Sequence, residues 1–200
     1  MNLPIDNHPG FVFLPGTTPL IVSAPHCVEH VRDGSVKFAE PETSVLAQEL
    51  HARVNVSSIY KTAGDGHDAN SEESSYFRDG IVNVCDHKRI VCGIDLHQCS
   101  PHREQDMIIG TGKGVNVHGD DLFVDTLKDI NTHYGFHIVY DKIFPALGRY
   151  RVSTDVSTRT SVPYLQFELN TSLFLNENNR VVDFLSDFIN VIMKEKQGII

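Results

Sequence analysis

Apolar residues run without alternation from Leu20 to Ala24 and across 89–96. A strand with no polar face is one covered on both sides, so these two runs predict buried, parallel strands. A first strand is predicted at Phe11 to Leu14, ended by the turn pair Pro15-Gly16. Further strands are predicted at 54–60, 106–110, 136–140 and 163–169. Between them the apolar period changes to that of a helix. Val45, Leu46, Leu50 and Val54 predict a helix over 43–54, with Glu42 near its N-terminus. Leu122, Phe123, Leu127 and Ile130 predict one over 120–134. Val181, Phe184, Leu185, Phe188, Ile189 and Ile192 predict another over 181–194. A helix over about 75–88 links a polar loop at 62–75 to the next strand. Segments 30–40, turning at Asp33-Gly34, and 145–162, with Gly148 and three arginines, are predicted as loops; long loops are often functional. Strands alternating with helices predict a three-layer αβα domain with a mostly parallel or mixed sheet. Two hundred residues suit a single domain over 1–200 with a sizeable core.

Composition narrows the function classes. Seventeen Lys and Arg against 26 Asp and Glu give a net charge of −9 with no basic block. That disfavours a nucleic-acid partner but permits an acidic small molecule, since a local arginine overrides the global sign. The cysteines, at 27, 85, 92 and 99, have neither Cys-x-x-Cys spacing nor the density of a secreted framework, which points to reduced thiols and a cytoplasmic location. Residues 1–6 lack the pattern of a signal peptide. No apolar run has the length of a transmembrane helix, so no membrane partner is expected.

The candidate chemistry lies at strand ends. His26 and Glu29, spaced His-x-x-Glu, follow the first buried run, and His97 follows the second. In open α/β sheets functional residues gather outside the carboxyl ends of strands. Two imidazoles and a carboxylate make a three-ligand zinc site with an open position. Asp95 shares a strand face with His97 and is placed to orient it. Glu168 alternates with Leu165, Phe167 and Leu169, so Tyr164, Gln166, Glu168 and Asn170 form the other, polar face of that strand. Such a face lines a polar cavity or a solvated edge, and the first reading makes Glu168 a candidate base. His30 competes with Glu29 as a ligand only on a helix. Cys27 and Cys99 read as small buried residues, and Gly110-Thr-Gly112-Lys-Gly114 as a tight turn rather than a phosphate loop.

The order of Pro-His-x-x-Glu, Ile-Asp-Leu-His at 94–97, Ile-Gly-Thr-x-x-Gly at 109–114 and Leu-Gln-Phe-Glu-Leu-Asn at 165–170 resembles the N-formylglutamate amidohydrolase family, a relative of the zinc carboxypeptidases. The resemblance runs over about residues 19–175. It implies a zinc-carboxypeptidase-like fold, one Zn2+ per chain held by His26, Glu29 and His97, and Glu168 as general base. It departs at Asp68-Ala-Asn70, where the family continues to an arginine and this chain has Ser71, and at Gly148-Arg149-Tyr150, where the family has Gly-Gly-Tyr. The chemistry allowed is hydrolysis of an amide bond in an N-acyl amino acid or small peptide. Zinc lowers the pKa of water to roughly 7, and Glu168 takes the proton and passes it to the leaving nitrogen. Arg149, Arg151 and Arg159 are candidates for the substrate carboxylate or oxyanion, with Arg103 a further one. Asn70 is a candidate hydrogen-bonding group for substrate, or a loop residue capping the next helix. A carboxypeptidase-like peptidase and a non-catalytic metal-binding member of the fold stay open as alternatives, and the sequence leaves the oligomeric state undetermined.

Overall fold

A computed structural model describes residues 9–64 and 66–197, so the leader reading at the extreme N-terminus falls outside it. Seven strands form one sheet in the order β1-β5-β2-β6-β9-β7-β8: β1 (Phe11–Leu14), β2 (Thr18–Ala24), β5 (Val56–Lys61), β6 (Cys92–Cys99), β7 (Met107–Gly110), β8 (Ile138–Tyr140) and β9 (Tyr164–Asn170). The central trio β2, β6 and β9 is parallel, as are β5 with β2 and β7 with β8. The edge strand β1 and the junction of β9 with β7 are antiparallel. The sheet is therefore mixed and mostly parallel. Its innermost strands are those with the unbroken apolar runs, because helices cover both their faces.

One face packs against α1 (Pro41–Val54), α3 (Leu122–Tyr134) and α6 (Asn178–Gln197). Leu46, Leu50, Phe123, Leu127, Phe184 and Phe188 form that core with Val22, Ile94 and Phe167. The opposite face carries α2 (Tyr76–His87) and α4 (Val152–Thr160), where Ile81, Val84, Val152 and Val156 meet Ile21, Ile59 and Tyr164. The three-layer αβα expectation holds. The Tyr164 ring packs against Gly93 on the neighbouring strand, where a Cβ would come within 2.1 Å of it. Its hydroxyl donates to Ser23 Oγ at 3.0 Å.

Two segments predicted as loops are structured. Residues 30–40 contain a small antiparallel hairpin, β3 (His30–Arg32) and β4 (Ser35–Lys37). It turns at Asp33 (φ 51°) and Gly34 (φ 71°), both left-handed as a two-residue hairpin turn requires. The second segment, 145–162, contains α4. That helix is built from Val, Ser and Thr, which are poor helix formers. Burial of Val152, Ser153, Val156 and Ser157 holds it. A further short helix, α5 (Thr171–Asn176), is capped by Asn170, whose side chain accepts from the Ser172 N–H.

Candidate metal centre and active-site cavity

His26 sits in the turn after β2 and His97 near the end of β6, so both imidazoles reach the same rim of the sheet. Their ring centroids are 4.7 Å apart. Between them lies a carboxylate that the His-x-x-Glu spacing does not reveal. Glu40 is the N-cap residue of α1. One of its oxygens is 3.3 Å from His26 Nδ1 and the other 3.3 Å from His97 Nδ1. Its Oε2 also accepts the Gln98 N–H at 2.9 Å. The pre-proline position keeps Glu40 out of helical geometry (φ −113°, ψ 61°) and turns it toward the strand ends.

His26, Glu40 and His97 form one of two groups of possible metal donors among the described residues. Two donors each about 2.0 Å from a tetrahedral ion lie about 3.3 Å apart, and each imidazole nitrogen lies at that separation from its own Glu40 oxygen. The outer nitrogens fit as well. His26 Nε2 is 2.9 Å from Asp68 Oδ1, and His97 Nε2 is 3.1 Å from Asp95 Oδ2. At His26 the carboxylate behind the ring favours the proton on Nε2 and leaves Nδ1 to a metal; at His97 Asp95 favours the same tautomer, while the Asn70 amide nitrogen, 2.9 Å from Nε2, opposes it. Asp95 is fully buried and also accepts from Ser23 Oγ at 2.6 Å. The second group, His26, His30 and Asp68, is a scaffold: the His30 ring stacks on His26 at 4.0 Å, and Arg32 Nε donates to Asp68, so a cation already occupies that carboxylate.

The electrostatics follow from this crowding. Burial opposes ionisation of Glu40, but His97 and His26 outweigh it and hold the carboxyl well below the usual range. Burial also opposes charge on His97, yet Asp95 and Glu40 raise its pKa well above the ordinary value. Asp68 is likewise buried and is pulled far down by His26 and Arg32. Glu168 behaves oppositely. It faces the same cavity from β9, directly across from His97 in the strand register. Burial, with Glu40 adding to it against His97, raises its pKa to about 7. Gln166 Nε2 donates to Glu168 Oε1 at 2.8 Å and fixes the carboxyl's orientation.

The remaining sequence-derived candidates divide clearly. Arg151 lines the cavity of about 290 Å3 and donates from Nη1 to the Asn70 carbonyl at 3.1 Å. Arg149 is exposed and stacks on Tyr150, and Arg159 pairs with Asp79 and Asp155 on the surface. Asn70 lines the cavity, but its amide is engaged: Oδ1 accepts from Val152 N–H at 2.7 Å and Nδ2 lies 2.9 Å from His97 Nε2. Glu29 is exposed and lines a different depression with Cys27 and Val36; the structure does not bring it to His26 and His97. Three residues past His26 the chain has turned outward, and the carboxylate between the imidazoles, Glu40, comes 14 residues after His26. Arg32, missed in the sequence because 30–40 reads as a loop, also lines the cavity.

The basis for this local order is Arg78, which is 2 % exposed. Its guanidinium donates to the carbonyls of Ala69, Glu72, Glu73 and Tyr150 and to Asp155. It thereby ties the loop carrying Asp68 and Asn70 to the segment carrying Arg151.

The sequence matches no protein-family profile and no curated protein. Solved structures do resemble the fold. The N-formylglutamate amidohydrolase from Ralstonia eutropha JMP134 superposes with a TM-score of 0.62 at 11% identity, over 93% of this chain and 99% of that one. A bacteriophage poly-gamma-glutamate hydrolase gives 0.57 at 13%, over 96% and 91%. A putative carboxypeptidase A from Shewanella denitrificans OS-217 gives 0.61 at 12%, over 96% of this chain and 62% of that one. The chain thus has the fold shared by amidohydrolases and metallo-carboxypeptidases, in line with the resemblance its motifs carry.

Proposed function

We propose that the chain is a zinc-dependent hydrolase that cleaves the C–N bond of a small N-acyl amino acid or short peptide. The observation that carries this reading is the Glu40 carboxylate set between two Nδ1 atoms, with the Glu168 carboxyl lining the same cavity. Among the described residues no helix is long and apolar enough to cross a membrane. A cavity of about 290 Å3 suits a single acylated residue better than a long peptide.

In this proposal His26, Glu40 and His97 hold one zinc, and Glu29 does not. Bound there, the ion supplies Lewis acidity and acidifies water at its open position. Asp68 holds the His26 imidazole in the tautomer that presents Nδ1, and Asp95 backs the His97 ring from the side away from Glu40. Glu168 takes a proton from the attacking water and returns it to the leaving nitrogen. A pKa near 7 suits a group that must both accept and donate at neutral pH. Gln166 occupies one Glu168 oxygen and leaves the other for this work. Arg151, anchored through one Nη, has Nε and its other Nη to offer the oxyanion.

The test is turnover of a panel of N-acyl amino acids and dipeptides by zinc-loaded protein, read as release of the free amine. Glu168→Gln should keep metal and lose at least about a hundredfold in rate, the usual scale for a lost general base. Full activity in that variant would refute the base assignment.

A further inference from the structure

The cavity has two unlike walls. One is charged and polar: the candidate metal ligands, Glu168, and the arginines Arg32 and Arg151. Arg32 projects from the β3–β4 hairpin, which is spliced into the chain between His26 and Glu40. Its Nε is fixed on Asp68, and both Nη groups lack a partner among the described residues. An arginine held by its Nε presents those two groups as a fork, the shape that receives a carboxylate.

The other wall is apolar and consists of Ile143, Phe144, Pro145, Ala146 and Leu147. Ile143 and Leu147, both large hydrophobic residues, line the cavity and are 51% and 42% exposed overall. The segment is rigidly seated. Gly112 N–H donates to the Pro145 carbonyl at 2.8 Å and Asn116 Nδ2 to the Ala146 carbonyl at 3.1 Å. The Arg103 guanidinium covers the Phe144 ring at 4.9 Å. Gly110 makes room for the segment: a Cβ there would lie 2.7 Å from Ala146 Cβ. Gly110 therefore serves this wall. A preformed apolar surface facing a charged one fits a ligand with the same two-sided character.

We infer that the cavity selects substrates with a free carboxylate, gripped by Arg32, and an apolar side chain, seated on the 143–147 wall. This rests on the N-acyl amino acid reading and narrows it. It also separates the chain from the two neighbours whose names specify glutamyl compounds. A side-chain carboxylate seated on that wall would meet hydrocarbon, and among the described residues the cations lining the cavity are Arg32 and Arg151, the second already anchored on the Asn70 carbonyl.

The experiment measures binding without turnover, by calorimetry on zinc-loaded Glu168→Gln protein. The probes are N-acetyl-L-leucine, N-acetyl-L-leucinamide and N-acetyl-L-glutamate. N-acetyl-L-leucine should bind about tenfold more tightly than either of the others, the scale of one charge-assisted contact or one buried aliphatic side chain. Adding Arg32→Met should erase the difference between acid and amide and keep the preference for leucine over glutamate. Arg32→Lys should restore part of the first. Leu147→Ser should shrink the second while leaving the acid-over-amide preference. Circular dichroism checks that each variant is folded. Equal or tighter binding of N-acetyl-L-glutamate, an undiminished acid preference in Arg32→Met, or no binding of any probe would overturn the inference. If the binding pattern appears but wild-type protein turns over none of the probes, the hydrolase reading fails and the selectivity stands.

Discussion

Replacing Glu168 by Gln should stabilise the metal-free protein while removing its activity. Glu168 is only 8% exposed, and burial lifts its pKa from 4.5 to about 7. In the unfolded chain the same carboxyl ionises near its ordinary value. Below pH 4.5 both states are protonated and Glu168 contributes no penalty. As pH rises from 4.5 to 7 the unfolded state releases its proton and the folded state retains it, so stability falls. Above pH 7 the loss is complete and constant. At about 1.4 kcal/mol per pKa unit, the buried carboxylate costs the metal-free fold about 3 kcal/mol at pH 8. Glutamine has the shape of the protonated acid and escapes this penalty, and its carbonyl oxygen can still accept from the Gln166 amide. Urea unfolding in excess chelator should therefore show Glu168→Gln more stable than wild type by about 2–3 kcal/mol at pH 8, with the gap closing by pH 4.5. A variant that is less stable at pH 8, or a gap that does not change with pH, would refute the claim that the fold strains against this charge.

Two further substitutions probe the support of the site. Asp95→Asn removes the carboxylate behind His97 and should weaken zinc affinity about 10–100-fold without abolishing binding, measured by competition with a chromophoric chelator. Unchanged affinity would show that His97 needs no such partner. Arg78→Met leaves four carbonyls without their donor and should destabilise the fold by about 3 kcal/mol or more, while loosening the Asp68–Asn70 loop enough to weaken metal binding too. A Tm within a few degrees of wild type would contradict that role.

The layers and most elements were legible because burial leaves a period in the sequence. The apolar runs before His26 and His97 predicted the central strands, and the alternation at 164–170 predicted a polar face bearing Gln166 and Glu168, which line the cavity. The α4 helix was hidden because its buried face alternates Val with Ser: Ser157 reaches the core by donating to the Asn116 carbonyl, so no apolar stripe advertises it. The hairpin at 30–37 was hidden by its brevity, and with it the place of Arg32. Glu40 was missed for a different reason. Residues separated by an intervening hairpin have no fixed spacing, and Glu29 is the carboxylate nearest to His26 in sequence, so spacing alone points to Glu29 and not to Glu40. The signal that could have found it is Glu40-Pro41 ahead of a helical period, which marks an acidic residue at a helix start facing the strand ends.

The central claim is that His26, Glu40 and His97 bind one metal ion. Its most direct test is the zinc content of the purified protein and of two variants, Glu40→Ala and Glu29→Ala, after equilibration with zinc and removal of free ion. A three-ligand site implies about one zinc per chain in the wild type and in Glu29→Ala, and almost none in Glu40→Ala. Zinc retained in Glu40→Ala and lost in Glu29→Ala would contradict it.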